Sequence, residues 1–441
     1  MSFYFGPWTL HRGLGHAGKR ATIPLVTIAF ALAIGGCSPT ATVDSATQPK
    51  AGKPEAKNSL EPDKVRWQRI NLDKTFRSEG VAAFDVNRDG KIDVVAGDLW
   101  YEAPNWKMHE IRTPGKYDPN TGYSRSFLNF GYDVNSDGWV DLICIGFPGA
   151  DCHWYENPKN KPGHWKEHLI WHSACNETPN FLDLTGSGKP QLILGSQPED
   201  QMGYLPIPPA GEVYSKWTFH PVSAPGNPKN QGMDNGSNQY YHGLGIGDFN
   251  RDGRNDVIIR DGWWEAPEER TISPWEFHPF EIERTDMSSA MDCANIFVDD
   301  LDGDGDMDLI SSSAHAYGVW WWENIDGKTL RQHVIDKSFS QCHAMMYVDI
   351  NGDGQRDIVT GKRYFAHNGH ELGEHDPIVM IWYEVKRGNK SPPEFIRHEI
   401  VEGRDTGLGT QFEVTDVNGD GLPDIVLSNK KGVNLLLQRR P

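Results

Sequence analysis

This sequence predicts an all-β fold, a seven-bladed β-propeller of four-stranded antiparallel blades. Three observations carry the prediction. An aspartate-rich loop pattern returns about every 50 residues, the same four short segments surround each copy, and the chain starts with one strand to spare and stops one strand short. Composition agrees, since 46 Gly, 29 Pro and 16 Trp in 441 residues favour short strands and tight turns over long helices.

The first 62 residues stand apart. Arg12, Lys19 and Arg20 precede an apolar run from Ala21 to Ile34, and Gly35-Gly36-Cys37 follows. A basic flank, a short apolar core and small residues before a cut describe an export signal over 1–36, too short to span a bilayer comfortably. Cysteine after Gly-Gly resembles the lipobox of bacterial lipoproteins, which implies lipidation at Cys37. An ordinary signal peptide is the plainer alternative. Residues 37–62 are rich in Ser, Thr, Ala, Pro and Lys without periodicity, as suits a flexible tether. The expectation is a folded part over 63–441, an exported monomer on the periplasmic or cell-surface side of a bacterial envelope, touching the membrane only through its lipid anchor. Of the cysteines after the signal, Cys293 and Cys342 hold similar places in adjacent repeats and are the first pair to test as a disulfide. Buried free thiols are the alternative. The net charge of −18 argues against nucleic acid or an anionic membrane surface as partner.

The repeat comes next. Its loops are Asp85-Asn87-Asp89-Gly90-Asp93, Asp133-Asn135-Asp137-Gly138-Asp141, Asp248-Asn250-Asp252-Gly253-Asp256, Asp300-Asp302-Asp304-Gly305-Asp308, Asp349-Asn351-Asp353-Gly354-Asp357 and Asp416-Asn418-Asp420-Gly421-Asp424. Side-chain oxygens at the first, third, fifth and ninth positions, with glycine at the sixth, let a short loop wrap one hard cation. Calcium at about six structural sites is therefore expected, with metal-free Asx turns as the alternative. Six divalent ions would bring the formal charge to about −6, ordinary for a soluble domain. A third copy, Asp183-Thr185-Ser187-Gly188 with Gln191 in ninth place, has too little charge to bind well and should be empty. Around each loop a small or apolar strand leads in (Val81–Phe84, Ala294–Val298) and a β-branched strand leads out (Ile92–Val95, Ile425–Leu427). A third strand ends in Glu, as in Trp100-Tyr101-Glu102 and Trp382-Tyr383-Glu384, and a fourth carries an aromatic and His, as in Trp106 and His109. The last unit lacks its fourth strand, which the spare segment Val65–Leu72 would supply, leaving no open edge.

The D-x-[DN]-x-D-G-x-x-D-[IV] units resemble FG-GAP/VCBS repeats, found in integrin-α-type and secreted bacterial propellers. The resemblance implies a propeller with calcium loops and does not specify an activity. The tighter spelling, with W-Y-E and His343-Ala-Met before the fifth full loop, is also similar to the propeller of aldos-2-ulose dehydratases. Seven-bladed polysaccharide lyases share the general architecture.

Repetition separates scaffold from site. His109, His168, His220, His278, His333 and His398 recur on the fourth strand and belong to the blade. Groups that occur once, at the start of strand one or the end of strand two, emerge at the face opposite the loops and converge on the channel mouth. Those positions give Arg77, Arg125, Asn176, Glu177, His242, Arg260, Asp292, His315, His343, Lys362, Arg363 and Tyr364. Longer gaps between loops place extra material beside them, Gln197–Gly211, Ala224–His242 and Phe365–Pro377, the last with His367, His370, Glu374 and His375. His343, His315 and Tyr364 are the catalytic candidates, and Arg77, Arg125, Glu177, His242, Arg260, Asp292, Lys362 and Arg363 the ligand-binding ones. The expected function is recognition of a polar ligand, most simply a saccharide. The same His/Tyr/Arg set equally suits a lyase or sugar dehydratase, in which a base takes a proton beside a carboxylate and a cation neutralises the developing charge. Clustered His343, His315, His367 and His375 also raise a transition metal such as zinc. An adhesion or assembly role is the third alternative.

Overall fold

The computed structural model describes residues 65–226, 235–286 and 293–439. The signal, the tether with Cys37, and Asp292 lie outside them. Among the described residues the structure is all-β, with one 3-10 turn at Val401–Gly403, and its architecture is that of a propeller.

Each repeat forms an antiparallel set in the order lead-in, lead-out, aromatic strand, outer strand. Repeat one is Ala82–Phe84, Asp93–Ala96, Leu99–Glu102 and Lys107–Glu110. Repeats two, three, six and seven are likewise separate four-stranded sheets. Repeats four and five merge into a nine-stranded sheet, because Leu244–Gly247 pairs in parallel with Asn295–Asp299. Its ninth strand, Glu281–Glu283, adds in parallel to the outside of Thr329–Ser340 and was not foreseen. The spare N-terminal strand, Arg66–Asp73, pairs antiparallel with Gly432–Arg439 and completes the last sheet, as expected.

The core explains why the strands carry these residues. It divides into seven apolar clusters, and each joins two consecutive repeats. One packs Val81 and Leu99 of repeat one against Val426 and Leu435 of repeat seven. The others join one to two, two to three and so on around. A chain of seven seams with the last sealed to the first is a ring. The repeated histidines serve the same scaffold. His109, His168, His278, His333 and His398 each stack on the tryptophan of the neighbouring strand at centroid separations of 4.2–4.5 Å. In repeat three Tyr204 replaces the tryptophan under His220. That third strand, Gln201–Pro206, falls within a stretch read from sequence as an insertion. Without the Trp-Tyr-Glu spelling it was not legible.

The loops share one backbone path. Their fourth residue takes a positive φ in all seven copies, from Ser136 at 59° to Gly352 at 81°, and so does the sixth-position glycine. Asp85 shows the pattern: Oδ1 accepts from the Asp89 N–H at 3.1 Å and Oδ2 from the Gly90 N–H at 2.9 Å. The ninth aspartate does more than the sequence suggested. Asp93 accepts from Val86 N–H at 3.0 Å and Ala103 N–H at 2.8 Å, so it ties the loop to the end of the third strand. The same two bonds recur at Asp141, Asp256, Asp308, Asp357 and Asp424, all buried. Burial, with the loop's other carboxylates adding to it, pushes these groups up to about 6 at Asp93 and about 7 at Asp141.

Repeat three solves the same problem without charge. The Gln191 carbonyl accepts from Leu184 N–H at 2.8 Å, while its amide donates to Ser187 Oγ at 3.1 Å and to the Lys189 carbonyl. The amide thus satisfies the fifth- and seventh-position oxygens that a cation would take in the other loops. Gln191→Asp is expected to lower the melting temperature in chelator by a few degrees, since it removes those donors and faces Asp183 with a second carboxylate. Restoration of the wild-type melt by added calcium would show that the aspartate makes this loop a cation site. A melt unchanged in chelator would sink the account of Gln191.

The lead-in strands surround a central channel of about 430 Å³, lined by Phe130, Phe181, Phe297 and Met346 with Glu413 among them. Glu413 accepts from Ala83 N–H at 2.7 Å, but burial pushes its carboxyl up to about 7. A carboxyl held above its unfolded value stabilises the fold at acid pH, and that contribution is lost as pH rises through the folded value. Glu413→Gln is therefore expected to leave the melt near pH 4 unchanged and to raise it at pH 8 by roughly 3 °C or more. Equal melts at pH 8 would refute the assignment.

Candidate functional site

At the mouth opposite the loops, one register decides what meets on the axis. The residue six places before each loop's first aspartate is Glu79, Phe127, Glu177, His242, Ala294, His343 and Thr410 in repeats one to seven. Backbone contacts between neighbours close this ring tightly. Thr410 N–H donates to the Glu79 carbonyl at 3.1 Å, and Glu79 N–H donates to the Ser126 carbonyl at 2.9 Å. Glu177 N–H reaches the Tyr241 carbonyl at 2.9 Å. Gly409 is required here, because a Cβ would fall 1.8 Å from the Glu79 carbonyl oxygen.

Three of these side chains converge. His242 Nε2 lies 2.8 Å from His343 Nε2, and Glu177 Oε2 lies 3.0 Å from His343 Nε2 and 3.4 Å from His242 Nε2. All three residues are buried. Arg363, at the end of the second strand of repeat six, reaches across with Nη1 at 3.5 Å from Glu177 Oε2 and Nη2 at 3.7 Å from Glu79 Oε2. Only 1% of the Arg363 side chain is exposed, and the same holds for Glu79, so this pair is enclosed rather than a surface bridge.

The electrostatics follow from the enclosure. Burial, joined by the Arg363 charge, holds the His343 imidazole well below its usual range, which favours the neutral ring. Burial alone would raise the Glu177 carboxyl, but the imidazoles of His242 and His343 outweigh it and hold the group well below the usual range. Glu79 goes the other way: burial raises it despite Arg363. Glu79 Oε1, His343 Nδ1 and Arg363 Nε are buried without a hydrogen-bond partner among the described residues.

Two imidazole nitrogens and a carboxylate oxygen on one point are a donor set for a divalent cation. Tetrahedral ligands at about 2.05 Å stand about 3.3 Å apart, and the observed separations bracket that value. Above the trio lie two more accessible histidines. His315 stands at 4.5 Å from His242 and 5.9 Å from His343 by ring centroids, and His367 at 4.9 Å from His315. Glu371 bonds His315 Nδ1 through Oε1. Aromatic side chains stand on the side of repeats two and three: Tyr123 packs on Phe127 and Phe147, and Tyr240, 48% exposed, meets Phe147 edge-on at 5.7 Å.

Of the residues singled out from sequence, Glu177, His242, His343 and Arg363 meet at the axis and His315 stands beside them. The others go elsewhere. Arg77 pairs with Asp73 at 2.7 Å, and Arg125 with Asp98 at 3.1 Å and the Thr113 carbonyl at 2.7 Å. Arg260 pairs with its neighbour Asp261 at 3.1 Å and lies 5.8 Å from the Tyr241 ring. Lys362 is buried and turns to the Gly373 carbonyl. Tyr364 packs beside Phe365, under Lys431 at 4.8 Å. His370 and His375 are exposed on the rim. The five described cysteines are buried and form no disulfide, so Cys293 and Cys342 are not joined, and Cys342 Sγ instead contacts Thr360 Oγ1 at 2.8 Å. Glu79 and Glu371 were missed. Glu79 occupies the ring register of Glu177, so counting back from the loop would have found it. Nothing in the sequence marks Glu371, whose place depends on a loop conformation.

Comparison with known proteins adds the following. Residues 300–360 match the model of the FG-GAP-like repeat. No curated protein matches the chain. Among solved structures it is similar to an Agrocybe aegerita lectin described for specific recognition of non-reducing terminal N-acetylglucosamine, at 15% identity over 82% of this chain and 85% of the lectin, with a TM-score of 0.42.

Proposed function

We propose, from a propeller that carries FG-GAP-like repeats, that this chain is an exported, calcium-stapled ring of seven blades whose mouth acts on a saccharide by metal-assisted elimination, as a carbon-oxygen lyase or dehydratase. The observation that carries this reading is the buried convergence of Glu177, His242 and His343 within 3.4 Å. A face that only bound sugar hydroxyls would have no need to bury two imidazoles and a carboxylate on one point. Glu177, His242 and His343 would hold a first-row divalent cation of the zinc class, which when bound supplies Lewis-acid polarisation of a ligand oxygen.

This chain's own groups do the remainder. A group lining the mouth would act as the base that takes the proton from carbon. The C–H pair then forms the double bond as the C–O bond breaks with its electron pair on oxygen, and that oxygen takes back the proton the base had gained. Arg363 offers fixed positive charge against the charge that develops, in an enclosed site where such stabilisation is strong. The wall of Tyr123, Phe147 and Tyr240 suits the apolar face of a pyranose. That wall also favours the second reading, a saccharide-binding protein without turnover. Export with lipidation at Cys37, and calcium in the six full loops, belong to the same proposal.

Neutral and uronate-containing saccharides, incubated with the calcium-saturated full chain, test it. The expected result is an unsaturated product absorbing in the near ultraviolet, lost on removal of transition metal. Heat of binding without product would establish the binding-protein reading instead. Neither heat nor product across the panel would defeat both.

A further inference from the structure

We infer that the mouth holds a second divalent-cation site, outside the first, built from His315, His367 and Glu371. It does not depend on the inner trio binding metal. His315, His367 and Glu371 each bring one ligand atom within 4.8 Å of the other two. Both imidazoles address the same carboxylate oxygen, His367 Nε2 at 3.4 Å and His315 Nδ1 closer still. The two rings stand nearly perpendicular, at 83°, with centroids 4.9 Å apart. Tetrahedral donors around a zinc-class ion lie about 3.3 Å apart, so side-chain adjustments of about an ångström would suffice.

Glu371 is held for the role. Gln341 Nε2 donates to its other oxygen, Oε2, at 2.7 Å, which leaves Oε1 for the histidines. This is the outer support that ligating carboxylates typically have. The segment that carries His367 and Glu371 is fixed along its length. Tyr123 donates to the Ala366 carbonyl at 2.5 Å, and Lys430 donates to Asn368 Oδ1 at 2.9 Å. Glu374 accepts from Gly369 N–H and, at 3.0 Å, from Glu371 N–H. Lys362 holds the Gly373 carbonyl, and Tyr317 donates to Asp376 at 2.5 Å. A surface loop pinned at six residues has little freedom left, and donors on such a support are preorganised. Two histidines with a carboxylate select a first-row transition ion over calcium, which prefers all-oxygen shells. Side-chain exposures of 24% at His315 and 41% at His367 leave this site open to exchange, whereas His343 of the inner trio has none.

The test counts ions. The full chain is stripped with chelator, resaturated with calcium and dialysed against Co²⁺. Two equivalents are expected in the wild type and one in Glu371→Gln. His367→Asn, at a half-exposed position that the fold does not need, should also bind one. His343→Ala and Glu177→Gln report separately on the inner trio. One equivalent that survives Glu371→Gln and His367→Asn but is lost in His343→Ala would overturn the outer site and leave the inner one standing. One equivalent lost in Glu371→Gln but kept in His343→Ala would support the outer site and overturn the inner. No bound cobalt would overturn both.

Discussion

Chelation of calcium is expected to lower the melting temperature of this protein by more than about 15 °C. An ion that binds only the folded state, at a hundredfold excess over its dissociation constant, contributes about 2.7 kcal/mol. Whole domains are stable by about 5–15 kcal/mol, so two or three such loops already match the total. At roughly 2–4 °C per kcal/mol the loss is large. The structure supplies the reason that the loops would need the charge. Each full loop gathers two aspartates, and the Asp300 loop three, around a further one that is buried, and in four of the six that group is pushed up to about 7 by burial and its neighbours. A divalent cation opposes this repulsion directly. Because the ninth aspartate also ties loop to third strand, loss of the ion should loosen the blade and not the loop alone. Differential scanning calorimetry with and without chelator measures the effect, and an unchanged melt would rule calcium out as a structural element.

How far the sequence carried can be argued from single residues. Ring closure was legible because it follows from counting: a strand left over at Arg66–Asp73 and one wanting beside Gly432–Arg439. The blades were legible where spelling repeats, and repeat three was misread where Tyr204 stands for tryptophan. At the mouth, the reading reached Glu177, His242 and His343 but took Arg77 and Arg125 with them. Those two stand eight places before their loops, whereas the ring register is six. Two residues further up, the chain has left the axis, so Arg77 pairs with Asp73 on the seam between repeats seven and one. A fixed offset from the loop would have exchanged Arg77 for Glu79, and it would have shown that repeats two, five and seven put Phe127, Ala294 and Thr410 on the ring. Glu371 was out of reach for another reason. The conformation of 365–377 rests on contacts with Tyr123, Lys430 and Tyr317 from three other repeats, and no local pattern encodes those.

Replacing His343 by Asn should lower product formation at least about 100-fold while changing saccharide affinity less than tenfold. The asymmetry follows from position. His343 is fully enclosed, with no exposed surface for a ligand hydroxyl to reach, so it has little to give to binding. What it gives to the site is a neutral nitrogen 2.8 Å from His242 Nε2 and 3.0 Å from Glu177 Oε2. Asparagine fills much of the same space and can still donate to Glu177, so the carboxylate is not left buried and unpaired. That keeps the stability cost to about 1–3 kcal/mol, which a melt checks independently. Tyr240→Ala is the converse. It removes an exposed aromatic from the wall without touching the trio, so affinity should fall while the rate at saturating saccharide holds. The pair of variants separates the two readings of the mouth. If both changes act on affinity alone, the histidines belong to a binding face. If His343→Asn acts on rate and Tyr240→Ala on affinity, the buried trio is the reacting centre and the aromatic wall its substrate platform.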